Sequence, residues 1–323
     1  MRVATKYSKT WAAGSYFDLI LSSALMMILY IITLTIVFIN DSSNLFATVE
    51  LSSITTLALV ICASMGWIMA MHAGIAFDIL PLIHGVVNFE HTLLRLYLLI
   101  NVAGQALILG GLLTGNVQLM QEFSTAGIAL LSWSLVILGE PGRNLYKNKQ
   151  SGSDDAVGIA SSLPGLLLPL FGCAVLATWV LRDIPGMVEV GLAIVLVVFL
   201  NMINFTSFLS HFNRRVNMTI VEPKNIPFVF FTLLILSVVH AIVAFLHGRG
   251  KVDFDVLSIS LGLPFLWVFL ATKPHKLLRN CFSKNQIPHS KLVLASLLSY
   301  LILAASTTLG MLGISIGSGV TYA

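Results

Sequence analysis

Long unbroken apolar runs, separated by short polar or basic stretches, set the pattern of this chain. They can be marked at 17–39, 51–71, 92–114, 125–139, 157–181, 185–210, 226–246, 256–272 and 292–316. Most approach the ~20 apolar residues that cover ~30 Å of hydrocarbon at ~1.5 Å per residue. The runs are continuous rather than alternating, so they predict helices and exclude a β-barrel. The expected fold class is all-α: a polytopic transmembrane helical bundle of about nine spans, forming a single integral membrane domain over 1–323. The fourth run is short, and its start can be placed as early as Met120.

Between the second and third runs lies a segment, about 73–90, that is apolar but carries Asp78, Pro81, His84 and Glu90. A full crossing here would invert every later loop. It is expected instead to be re-entrant or interfacial, or to continue the second span, with Pro81 breaking or kinking it.

Composition agrees with the pattern. The chain is 57% hydrophobic and 10% charged, with a mean hydropathy of +0.93. A soluble domain carries about 25% charged residues, so the solvent of this fold must be largely lipid. The net charge of +4 does not point to nucleic acid, because its distribution follows membrane topology. With the N-terminus in the cytoplasm, only Arg182, Arg249 and Lys251 of the 18 Lys and Arg residues fall on the opposite side. That asymmetry obeys the positive-inside rule and places the C-terminus outside. The basic N-terminal stretch leading into the first run reads as an uncleaved first span. Cys62, Cys173 and Cys281 show no pairing pattern, so neither a disulfide nor a thiolate metal site is expected.

Candidate chemistry concentrates in His72–Gln105. If 84–95 is helical, His84, Asn88, His91 and Arg95 fall within an arc of about 60° and form one polar stripe, with Glu90 off to its side. The competing reading is interfacial: Arg95 snorkels to headgroups and the histidines are hydrogen-bonded. In the sixth run, Asn201, Asn204, Ser207 and His211 share about a third of the helix circumference and suit a polar path or bonds between helices. These groups form the expected substrate or proton path: His84, Asn88, Glu90, His91, Arg95, Asn201, Asn204 and His211. His91, His211 and His240 are the candidate haem ligands, since axial ligation needs only two histidines on facing helices. No metal site is expected. His84 and His91 stand ~10.5 Å apart along a helix, too far to share one small ion.

Walker, GxSxG, HExxH and histidine-box motifs are absent from the sequence. Pro164, Pro169 and Pro264 lie inside runs and are expected to kink them beside a cavity. The Gly139–Arg143 stretch, with Pro141, reads as the end of the fourth helix.

These features lead first to a multi-pass transporter or permease for a small solute or ion. Proton coupling would suit the histidines, whose ordinary pKa is about 6.5. One alternative is a membrane subunit of a larger complex, a redox anchor binding quinone or haem b or a secretion component, whose partners are other subunits. Another is an intramembrane lipid-modifying enzyme drawing on Asp78 and Glu90. Without catalytic motifs, an enzyme acting by itself is the weaker expectation, and no cofactor is fixed. The partner common to all readings is the lipid bilayer. Compactness and charge asymmetry suggest a bacterial inner membrane.

Overall fold

The computed structural model describes residues 12–40, 53–74, 91–147, 156–199, 221 and 225–271. The chain divides into two compact units. Unit 1 contains α1 (Ala12–Asn40) and α2 (Ser53–Ile61). A π-helical segment, Cys62–Ile68, continues α2, and helix resumes to residue 74. Then follow α3 (His91–Leu113), α4 (Val117–Lys147), and α5 (Ala156–Val180) from Ser161 onward. Unit 2 contains the first residues of α5, then α6 (Met187–Ala193) running into π-helical Ile194–Phe199. It ends, among the described residues, with α7 (Ile226–Gly248) and α8 (Phe254–Ala271).

The described residues contain helices and no strand. Among the described residues, five helices are long and apolar enough to cross a membrane: Asp18–Val37, Ile54–Gly74, Thr92–Leu113, Val117–Glu140 and Ile226–Gly248. They correspond to the first, second, third, fourth and seventh predicted runs. The fifth, sixth and eighth runs contain shorter apolar helices, Leu167–Val180, Met187–Val197 and Phe254–Val268. The ninth run and residues 75–90 lie outside the described residues.

The helices carry their apolar bulk outward, as a protein solvated by lipid must. Along α1, Ile20, Leu25, Ile28, Ile32, Ile36 and Ile39 are exposed, while Leu19, Ser23, Met26 and Thr33 are buried. The buried stripe is therefore the more polar one. Lipid is as apolar as leucine, so helices associate through close packing and hydrogen bonds rather than through hydrophobic burial.

Close packing is clearest where α3 meets α4. Thr114, Gly115 and Asn116 make the turn between them. Gly115 takes φ +65°, a left-handed conformation that suits glycine. Asn116 Oδ1 accepts the N–H groups of Gln118 (2.9 Å) and Leu119 (3.2 Å) and so caps α4. The returning helix lies almost on the first. A Cβ placed on Gly104 would stand 2.8 Å from the Gly127 carbonyl oxygen, and one on Gly127 would stand 2.6 Å from that of Gly104. Farther along, a Cβ on Gly172 of α5 would stand 2.7 Å from Ser132 O of α4. Trp179 Nε1 donates to Thr125 Oγ1 at 2.8 Å.

In unit 2, α7 ends in a Schellman motif. Gly250 N–H donates to His247 O and Lys251 N–H to Leu246 O, with Gly250 at φ +65°. Gly186, at φ +92°, lies against Phe245 O of α7, so a Cβ there would meet that oxygen at 2.5 Å.

One sequence expectation needs correction. The fourth helix does not end at Gly139–Arg143. It runs from Val117 to Lys147, straight through Pro141. Proline removes one hydrogen bond, and a helix with its other bonds intact tolerates that loss. The sharp break lies at Gly66, with no proline nearby, while α5 and α8 continue through Pro164, Pro169 and Pro264.

Candidate functional site

Gly66 departs from helical geometry, with φ −82° and ψ −108°. Around it the backbone bonds change register. Met69 N–H reaches Ser64 O, five residues back, and Gly66 O, three back. It bypasses Met65 O, the α-helical acceptor four back. A buried carbonyl without a donor costs about 1–3 kcal/mol, and more where no water can reach it. Asn101 of α3 supplies the donor: its Nδ2 lies 2.9 Å from Met65 O. Ser23 of α1 donates to Trp67 O, two residues on, at 2.6 Å. Side chains from two neighbouring helices thus satisfy the broken span.

Asn101 belongs to a polar row. Tyr97, Asn101 and Gln105 recur every fourth residue of α3, on its inward face. Asn101 is 0% and Gln105 1% exposed. The Met65 carbonyl can only accept, so Asn101 must turn its amide nitrogen to it. Asn101 Oδ1 then faces Gln105 and accepts from Nε2 at 2.6 Å. The Asn101 nitrogen also lies 3.4 Å from Tyr97 Oη. Hydrogen-bond polarity therefore runs one way along α3 and ends in an acceptor, Gln105 Oε1. That oxygen is buried and has no hydrogen-bond partner among the described residues.

Gly66 makes this arrangement possible. A Cβ there would stand 2.6 Å from Gln105 Cδ and 2.8 Å from Oε1. The Gln105 amide rests on bare backbone at the break. The close crossing of Gly104 with Gly127 lies one residue before Gln105.

Unit 2 holds a smaller polar locus. His240 is 4% exposed on α7, and its Nδ1 lies 2.8 Å from Ser260 Oγ of α8. Ser260 Oγ also lies 2.8 Å from Leu257 O, and only the hydroxyl can donate there. The two bonds together require Nδ1 to carry the proton and leave Nε2 with its lone pair. Pro264 follows four residues after Ser260 and cannot donate to the Ser260 carbonyl. His247 Nδ1 donates to Val252 O at 3.0 Å and ties down the loop after α7.

The residues expected from sequence fare differently. His84, Asn88, Glu90, Asn201, Asn204, His211 and Asp78 lie outside the described residues. His91 begins α3, and its side chain is outside the described set. Arg95 is exposed on the outward stripe of α3 that includes Leu96 and Leu99. At 100° per residue, the Tyr97–Asn101–Gln105 row stands about 120° round the helix from the predicted His84–Arg95 stripe. The signal for that row was present: three polar residues at a spacing of four inside an apolar run.

Among the described residues no group of His, Cys, Asp and Glu is arranged to hold a metal ion. Cys62 is buried, Cys173 is exposed, and both are free thiols. No family model, curated protein or solved structure matches this chain.

Proposed function

We propose that the chain is a multi-pass membrane transporter or permease for a small solute or ion, with its selective site at the broken span. One observation carries this reading: the Cys62–Ile68 break packs against a buried polar row that ends in an acceptor with no partner among the described residues. Broken helices with polar backbone inside a bundle occur where a cavity or a substrate must be served. The charge asymmetry supports about nine spans in a bacterial-type inner membrane, with the N-terminus cytoplasmic and the C-terminus outside.

Purified protein in liposomes tests the reading. Solute and ion fluxes above those of protein-free liposomes are expected, and Asn101→Leu should lower them in protein that still inserts. If no solute or ion moves faster than in empty liposomes, transport is the wrong function.

His240 favours a second reading, a redox-type membrane subunit. A histidine whose Nδ1–H is already bonded presents Nε2 for ligation, as haem-binding histidines do. A second histidine would have to supply the opposite ligand. A haem band in the reduced-minus-oxidised spectrum of gently purified protein, lost in His240→Ala, would favour this reading over transport. A colourless preparation would remove it.

A further inference from the structure

We infer that the site at Gly66 and Gln105 takes an uncharged solute that donates an N–H or O–H hydrogen, an amide or alcohol, and not an ion. This rests on the transport reading above and names its substrate class.

The first step is the polarity of the network. Met65 O fixes the orientation of Asn101, and Asn101 fixes that of Gln105. The free end is therefore Gln105 Oε1, an acceptor. The amide cannot flip to offer its nitrogen, because that would set two oxygens against each other at 2.6 Å. Whatever approaches must bring a hydrogen.

The second step is charge. Among the described residues no Asp, Glu, Lys or Arg is buried, and Arg95 points outward. Tyr97, Asn101, Gln105, Ser64 and Ser23 are all neutral. An ion brought here would lose its water, and none of the described residues around it would supply a buried counter-charge. The effective penalty is several kcal/mol per ion, whereas one hydrogen bond returns about 0.5–1.5 kcal/mol. A neutral donor loses far less hydration and regains it at Oε1. An alkali ion would also need several oxygens, and the Asn101 oxygen and the Met65 and Trp67 carbonyls are already engaged.

The third step is access of the backbone. Gly66 presents no side chain where Oε1 lies, so the acceptor is bordered by bare backbone at the break. A larger residue there would press on the Gln105 amide, with its Cβ 2.8 Å from Oε1.

The test uses the full chain in liposomes. Urea, acetamide and glycerol entry are followed by light scattering, radioactive sodium and rubidium by filtration, and water by osmotic shrinkage. Urea or acetamide entry well above empty liposomes is expected, with no sodium or rubidium entry. Acetamide should compete with urea, whereas N,N-dimethylacetamide, which has no N–H, should not. Gln105→Leu should lower neutral-solute entry about tenfold, the weight of one buried hydrogen bond. Because that variant could misfold, Gln105→Glu provides a second readout within one folded protein. Its protonated carboxyl donates to Asn101 Oδ1 and keeps a carbonyl acceptor, so entry should recover as pH falls and disappear as the group ionises.

Ion entry without neutral solutes overturns this inference and leaves transport standing. Water entry alone assigns the site to water and overturns it too. Unchanged urea entry in Gln105→Leu shows that Oε1 binds nothing. No flux of any kind defeats both this inference and the transport reading.

Discussion

Asn101 is the residue on which the broken span depends. It gives its nitrogen to Met65 O and its oxygen to Gln105, so one side chain satisfies both a backbone acceptor and a side-chain donor. Asn101→Leu would leave both unpaired. The expected loss is about 1–3 kcal/mol for each buried group stranded, read as a fall in unfolding temperature in detergent. Leu99→Ala, at a position 70% exposed, should barely shift it. An equal shift in both variants would mean that the polar row contributes nothing to stability. His240 gives a spectroscopic counterpart. Nitrogen NMR should find the neutral ring protonated at Nδ1, and Ser260→Ala should erase that preference. A ring protonated at Nε2 in the wild type would contradict the bond to Ser260. The spacing of Tyr97, Asn101 and Gln105 puts them on one face, because 3.6 periodicity fixes faces, but the His84–Arg95 stripe is the one singled out from sequence. The spacing does not show what opposes the Tyr97–Asn101–Gln105 face. Met65 and Gly66 come from another helix, more than thirty positions away, and no local pattern encodes that pairing.

At the scale of elements, glycines decide how closely helices approach. Gly127 and Gly110 look alike in the sequence. A Cβ on Gly127 meets Gly104 O at 2.6 Å, whereas one on Gly110 meets nothing within 4 Å. Gly127→Ala should therefore cost about 1–3 kcal/mol through overpacking and should also impair flux, because it moves Gln105. Gly110→Ala should be neutral or slightly stabilising. Equal unfolding temperatures for the two variants would dismiss the close crossing. Gly115 has open space around it but takes φ +65°. Gly115→Ala should cost about 1–2 kcal/mol from conformation alone, a loss that unfolding in detergent would register and no change would refute. Prolines do not mark the sharp break. Pro141, Pro164, Pro169 and Pro264 sit inside helices that continue, whereas the break at Gly66 has only a glycine to announce it. A proline loses one bond in a ladder that otherwise holds. Gly66 lies directly beneath the Gln105 amide, and that contact is tertiary.

For the molecule as a whole, the charge asymmetry makes a topological prediction. Single cysteines placed at Gly115 and at Lys251, in a background lacking the native three, should react with an impermeant thiol reagent from outside intact cells. A cysteine at Lys273 should react only after the membrane is opened. Reaction of Lys251 and Lys273 variants from the same side would break the proposed order of spans.

The membrane class, the helical fold and the outline of most spans were settled by the sequence alone, and the structure describes five of them as long enough to cross. Hydrocarbon cannot hydrogen-bond, so a run of about twenty apolar residues has only the helix open to it. Charge could likewise be counted residue by residue. The site could not. Whether an asparagine in a span serves as glue or as a ligand, and whether a glycine lies open or beneath a glutamine, depends on which helices meet and in what register. Lipid gives no apolar driving force to dictate that pairing. Backbone contact and hydrogen-bond polarity dictate it instead, and both exist only once Met65, Gly66, Asn101 and Gln105 are brought together.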